Sequence, residues 1–305
     1  ILLVVATATV FLGTFYPLVI DALTGDKITV GPPYFERTFA PIMSVLIIFM
    51  AVAPLMKWRS DSWRRLKRTL SLMALAAIPL TLAVMVFGKT VFGALGMGLA
   101  AWLLIGTLAN YGRKLRIGTS KATLGNFLLR FARLPGATHG FALAHIGLAM
   151  CTVGIVSMGV WSDEEVDRLK IGEEISISGY QFRLEGVEQS RGPNFVAETG
   201  QVVIERDGRR VAVLNPEQRT YPVERNNTTE GAMEIGALRI LYAAKGDGNP
   251  QDGWIISVYY HPMVIWIWIG ALMMAVGGFA SVADRRHAFT RQRVQRSNAV
   301  PAPAE

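Results

Sequence analysis

The side chains best suited to bind a transition metal or to carry a proton near neutral pH are few: four histidines, His139, His145, His261 and His287, and one cysteine, Cys151. A single cysteine excludes an intramolecular disulfide framework, a CxxC redox motif and a cysteine-rich metal site. His145 stands apart. It lies in "GFALAHIGLAM", residues 140–150, among neighbours with no charge and no other strong hydrogen-bonding side chain. An ionisable group in so apolar a run is costly and tends to mark function. Two readings of it are open. It is either structural, a neutral imidazole satisfied by a backbone carbonyl or a hydroxyl on another helix, or a metal ligand, for instance an axial ligand to heme iron.

Composition says what must position this residue. The chain is 51% hydrophobic and 18% charged, with positive mean hydropathy, too apolar for an ordinary soluble domain. Crossing a bilayer takes about 20 apolar residues, and six segments qualify: 1–23, 41–56, 70–88, 91–111, 139–161 and 262–282. The second is short, and the third and fourth form a tight hairpin through Lys89. Basic residues gather in three places: Lys57, Arg59, Arg64, Arg65, Lys67 and Arg68; Arg113, Lys114, Arg116, Lys121, Arg130 and Arg133; and Arg285, Arg286, Arg291, Arg293 and Arg296. All three fall on one side of a six-span alternation, which the positive-inside rule makes cytoplasmic, with both ends of the chain inside. The chain opens within an apolar run without an initiator Met or a basic flank, and reads as part of a longer protein.

Residues 162–261 differ in kind. They hold 17 Asp and Glu against 11 Lys and Arg, a balance of −6 within a chain of net +8. The basic excess therefore belongs to loops at a cytoplasmic membrane face and not to nucleic-acid binding. "ISISGYQFRLEGVEQ", "QVVIERDGRRVAVL", "ALRILYAA" and "WIISVYY" alternate apolar and polar residues between Gly, Asp and Asn breaks, the pattern of strands and hairpins. The expected fold is an α-helical polytopic membrane protein with six transmembrane helices and a small extracytoplasmic all-β domain inserted before the last helix. Its parts are residues 1–161, five helices; 162–261, the sandwich or barrel; 262–282, the final helix; and 283–305, a basic cytoplasmic tail ending in the disordered "NAVPAPAE".

In the fifth helix Gly140, Ala144, Gly147, Cys151 and Gly154 recur at spacings of 4, 3, 4 and 3. This is a small-residue seam for close approach of another helix. His145 sits about 100° off that seam, with Ala142 and Ala149 a turn away leaving room for a flat ligand. It lies sixteen residues before Trp161, hence about 24 Å from the outer end at 1.5 Å per residue, toward the cytoplasmic half. None of the other histidines clearly shares that depth. His139 is near the helix start, as an interfacial residue or a cap; His287 lies among arginines; His261 precedes Pro262 beside an aromatic belt of Tyr259, Tyr260, Trp266 and Trp268. The first external loop, "DKITVGPPYFERTF", has a connection stiffened by Gly31, Pro32 and Pro33, after which Tyr34 and Phe35 present aromatics at the outer interface.

"GTFYPLVIDALTGDKITVGPPYF", "GFALAHIGLAMCTVGI", "RTYPVERNNTTEGAMEIG" and "VYYHPMVIWIWIGALMMAVGGFASVADRR", in this order, resemble the C-terminal part of the CcmF family (CycK, Ccl1), membrane heme lyases of System I cytochrome c maturation. The resemblance implies residence in the bacterial inner membrane, with residues 162–261 periplasmic. It implies receipt of heme from the chaperone CcmE and its covalent attachment to Cys-x-x-Cys-His of apocytochrome c, with CcmH and CcmI as partners. It implies an intramembrane heme b with His145 as one axial ligand to the iron. That heme would keep the periplasmic heme iron reduced for thioether formation. The tryptophan-rich "WWD" segment and the second heme b ligand belong to the N-terminal part of the same protein, so this stretch alone is expected to catalyse nothing. His261 stands where the family pattern suggests lysine, and no role is carried to it; Gly31, Pro32, Pro33, Tyr34 and Phe35 are placed near the heme-handling face without a specific contact. Two rivals remain: a non-catalytic scaffold whose outer domain docks partners, and a transporter segment, which would need midplane coupling groups and repeated halves that are not seen.

Overall fold

A computed structural model describes residues 1–56, 62–88, 90–116, 124–223 and 226–284. Lys57, Arg59, Lys89, Lys121, His287 and the arginines beyond 284 lie outside the described residues. Seven α-helices are present among those described: α1 (Leu2–Thr24), α2 (Pro32–Val52, extended by a 3-10 turn at Ala53–Leu55), α3 (Trp63–Gly88), α4 (Val91–Leu115), α5 (Leu124–Arg133), α6 (Gly136–Trp161) and α7 (Val264–Ala283). All but α5 are long and apolar enough to cross a membrane. The chain divides into two compact units, Ile1–Thr152 with Gly270 onward, and Val153–Ile269.

Within the first unit, Ile47, Ala51, Leu55, Met73, Leu103 and Ala149 form one buried cluster drawn from α2, the following 3-10 turn, α3, α4 and α6. Small residues let the backbones close up: a Cβ added at Gly106 of α4 would stand 2.8 Å from the Ala51 carbonyl oxygen. Most other apolar side chains of these helices point outward, as lipid-facing residues must.

The second span starts nine residues earlier than the sequence reading put it. Gly31 is the N-cap and Pro32 and Pro33 occupy the first helical positions, where a missing N–H and a φ near −65° cost nothing. Glu36 and Arg37 made this turn read as a loop, yet both are exposed helical residues. The amphipathic α5 was not foreseen: ten residues with Arg130 and Arg133 in its last turn are too short and too charged for a span.

In the second unit ten strands among the described residues form two sheets. The first runs β1 (Asp163–Leu169), β10 (Gly253–Pro262), β9 (Arg239–Asn249), β8 (Ala232–Ile235); the second runs β2 (Glu174–Ile177), β3 (Tyr180–Arg191), β4 (Val196–Arg206), β6 (Glu217–Tyr221), β7 (Asn226–Glu230), with β5 (Arg209–Leu214) also on β4. Every pairing is antiparallel. Phe182, Leu184, Val202, Ile204, Leu241, Ala243, Ile256 and Val258 fill the core between the sheets. One cation joins them: Lys245, fully buried, donates to the Glu198 carboxylate and to the Gly246 carbonyl at 3.3 Å. Two hairpins turn on Ser178-Gly179 and Asp207-Gly208, both residues of each pair at positive φ, the I′ geometry that suits the twist of the strands. Asp163 pairs with Tyr260, so the chain enters and leaves the sandwich at one end, between the two helices that bear it.

Candidate functional site

α6 carries His145 through a run in which the residues alternate between packing surfaces. On one side, Gly140 faces α7 so closely that a Cβ there would stand 2.4 Å from the Gly277 carbonyl oxygen; at Gly147 the distance to the Gly270 oxygen would be 2.6 Å. Gly270 and Gly277 return the contact against Cys151 and Ala144. The small-residue seam thus has α7 as its partner, and α7 carries a matching glycine pair seven residues apart, a signal present in the sequence and overlooked. Further along α6, Gly154 meets Met263 and Ile267, all three within the second unit. On the opposite side, Leu148 and Ala149 pack into the α2–α4 cluster. Ala149 therefore serves helix packing, and the room for a flat ligand that its small size suggested is occupied by protein. The Asp284 carboxylate accepts the Ala137 N–H at 2.9 Å, closing the first turn of α6 from the end of α7, where an anion meets the positive end of the helix dipole.

Between these surfaces the His145 ring is half-buried and fixed by two contacts. Its Nδ1 lies 2.9 Å from the Phe141 carbonyl oxygen one turn back, and the two rings are 3.9 Å apart, tilted by 33°. A carbonyl only accepts, so Nδ1 carries the hydrogen and Nε2 keeps its lone pair. No hydrogen bond to Nε2 is present among the described residues. This is the arrangement in which proteins present imidazole to a metal: one N–H donated to a backbone carbonyl sets tautomer and ring angle, and the other nitrogen is the ligand. The unengaged Nε2 is chemically able to act as an axial ligand to heme iron, while the bonded Nδ1 is equally what a structural imidazole would show. Among the described residues no three His, Cys, Asp or Glu side chains converge as a metal site, so His145 would be a lone donor from this chain. Lys114 Nζ stands 5.8 Å from the Phe141 ring centroid, bringing a cation from the end of α4 to the same stack.

His139, six residues earlier, contrasts with it. Tyr111 Oη lies 2.5 Å from its Nδ1 and the Phe131 carbonyl 3.1 Å from its Nε2. Both ring nitrogens are engaged, tying α6 to α4 and to a carbonyl in the last turn of α5. His261 ends β10 opposite Ile240, outside the spans, with its ring 5.7 Å from that of Tyr259. Its Nδ1 is buried with no hydrogen-bond partner, and burial holds its pKa below the ordinary histidine range, opposed in part by the Glu164 carboxylate.

Of the GPPYF residues Pro32 and Pro33 are exposed, whereas Tyr34 and Phe35 are half-buried. Tyr34 and Phe35 pack against Gly13 of α1, and Tyr34 Oη donates to the Thr9 carbonyl at 3.0 Å. Their aromatic bodies join α1 to α2.

Six apolar helices and an inserted antiparallel sandwich define a multi-pass membrane protein with an extramembrane all-β domain. Residues 160–262 match the family model described as CcmF C-terminal beta-sandwich. The chain is 36% identical to cytochrome c-type biogenesis protein CcmF of Pseudomonas fluorescens, over 94% of its own length and 43% of that protein's. It is 37% identical to CycK of Rhizobium meliloti, over 94% and 42%, and 32% identical to CcmF of Escherichia coli, over 99% and 44%. A solved structure of the cytochrome c heme lyase CcmF superposes with a TM-score of 0.70 at 19% identity, covering 91% of this chain and 43% of that one, and shows the same fold. The chain belongs to the CcmF family of cytochrome c-type biogenesis proteins, and it spans less than half the length of these relatives.

Proposed function

We propose that this chain, as part of a full-length CcmF, supplies His145 as one axial ligand to a heme b within the membrane and takes part in attaching heme to apocytochrome c at the periplasmic face. The observation that carries the reading is the His145 ring itself, with Nδ1–H donated to the Phe141 carbonyl and Nε2 unengaged in an apolar span. The described basic residues at the start of α3, at the end of α4 and in α5 favour a cytoplasmic location for those ends in the bacterial inner membrane, with the sandwich on the periplasmic side.

When bound, the resident heme supplies a one-electron couple whose potential depends on its axial ligands, burial and nearby charge. This chain's part is to hold one imidazole at a set angle, keep its tautomer through Phe141 and keep water away with the packed faces of α6. Attachment itself adds the S–H of each apocytochrome cysteine across a heme vinyl double bond, forming a thioether with no leaving group. The heme chaperone CcmE, CcmH and CcmI and apocytochrome c are the proposed partners, and the second iron ligand comes from the N-terminal part of the same protein.

In the full-length protein, His145→Ala is expected to remove the heme b bands from the reduced-minus-oxidised spectrum while the protein remains in the membrane at normal level. A colourless parent protein that still binds its partners would instead establish a non-catalytic scaffold.

A further inference from the structure

Most of the described turns of the sandwich are polar. Ser178-Gly179, Asp207-Gly208 and the Asn249–Asp252 turn carry hydroxyl, carboxylate or amide groups, as turns facing water do, but the β8–β9 turn reads Ile235-Gly236-Ala237-Leu238. Ile235 and Leu238 are each 60% exposed. The patch continues along the outward face of the sheet through Met233, 51% exposed, and the half-buried Ile240, which is the register partner of Ile235. An antiparallel sheet with one face on its core ordinarily turns polar side chains outward, so an apolar outward edge marks a surface that meets something other than water.

Hydrogen bonds tell what it meets. The Met263 N–H donates to the Leu238 carbonyl at 2.8 Å, and Trp266 Nε1 donates to the Ala237 carbonyl at 2.9 Å. Trp266 is the third residue of α7, a helix apolar enough to cross the membrane. The turn is thus tied to the level at which that span enters the bilayer, where tryptophan rings gather. Directly behind the apolar tip the chemistry turns cationic and phenolic: Arg239 Nε donates to Tyr180 Oη at 2.8 Å, and Arg206 Nη1 donates to the same oxygen at 2.9 Å. An apolar tip backed by arginine and tyrosine is the order in which a surface meets hydrocarbon first and headgroups behind it.

We propose that the β8–β9 turn is a membrane-insertion element, with Ile235 and Leu238 seated at the hydrocarbon–headgroup boundary of the leaflet on the sandwich's side. The occupant of this surface is phospholipid. Besides the two covalent tethers through α6 and α7, the turn gives the sandwich a third attachment and so limits its rocking over the bilayer.

The test uses full-length protein in phospholipid nanodiscs, cysteine-free through Cys151→Ala and removal of any cysteine elsewhere in the protein. Spin labels are placed singly by Ile235→Cys, Leu238→Cys and, as an aqueous reference, Val223→Cys, a position 87% exposed. At Ile235 or Leu238 the label is expected to collide with dissolved oxygen more than with a water-soluble nickel chelate, the reverse of the ratio at Val223. A nickel-dominated ratio at both positions would place the turn in water. Labels protected from both reagents at both positions would place it under protein. Either result overturns the proposal.

Discussion

His145 and His139 share a helix and differ in what is left over. Two partners consume both nitrogens of His139, and a single backbone carbonyl takes one nitrogen of His145. Apolar surroundings in the sequence were enough to single out His145; the free nitrogen was not legible, because it depends on which way the ring turns and on Phe141 one turn away. His261 shows the converse. Its sequence setting suggested an interfacial anchor in an aromatic belt or a heme-face or partner contact, whereas in the fold its Nδ1 is buried without a partner and its pKa is depressed by that burial. Below the unfolded pKa of about 6.5 the unfolded chain then binds a proton that the folded one resists, so stability is full above that value and falls as pH drops through it, levelling below the folded pKa. His261→Gln is expected to flatten this part of the profile, measured as the apparent Tm of the detergent-solubilised full-length protein between about pH 8 and pH 5. An unchanged slope would count against the buried neutral imidazole.

At the scale of elements, spans were legible wherever about 20 apolar residues run unbroken, and the second was shortened because Glu36 and Arg37 interrupt the run just after a helix start that two prolines already mark. Strands with alternating residues were equally plain. β1 was not, since "DEEVDRL" shows no alternation; its residues are exposed up to Leu169, and it exists because it pairs along β10. The α6 seam was read correctly as a helix contact, but its partner needed the fold. Gly147→Leu would push a side chain into the Gly270 carbonyl, and forcing the helices apart should cost about 1–3 kcal/mol. Gly278→Ala, on the same partner helix with open space around it, should be neutral or slightly stabilising. A lowered apparent Tm for the first and not the second is the expected pair of results; equal behaviour would deny the seam its part in packing.

The whole molecule joins a histidine-bearing helical unit and a sandwich on one continuous chain, entering and leaving the sandwich between β1 and β10. Its family and its membrane character were legible from motifs and composition. Of the proposed site only the candidate His145 was legible, and the chain spans less than half of its relatives. The central claim, that His145 Nε2 ligates heme iron, is tested most directly by His145→Gly in the full-length protein with and without added imidazole. The account predicts that the low-spin heme b signal in electron paramagnetic resonance and optical spectra is lost in the variant and returns when imidazole fills the vacated position. A variant whose low-spin spectrum matches that of the parent without imidazole would contradict it.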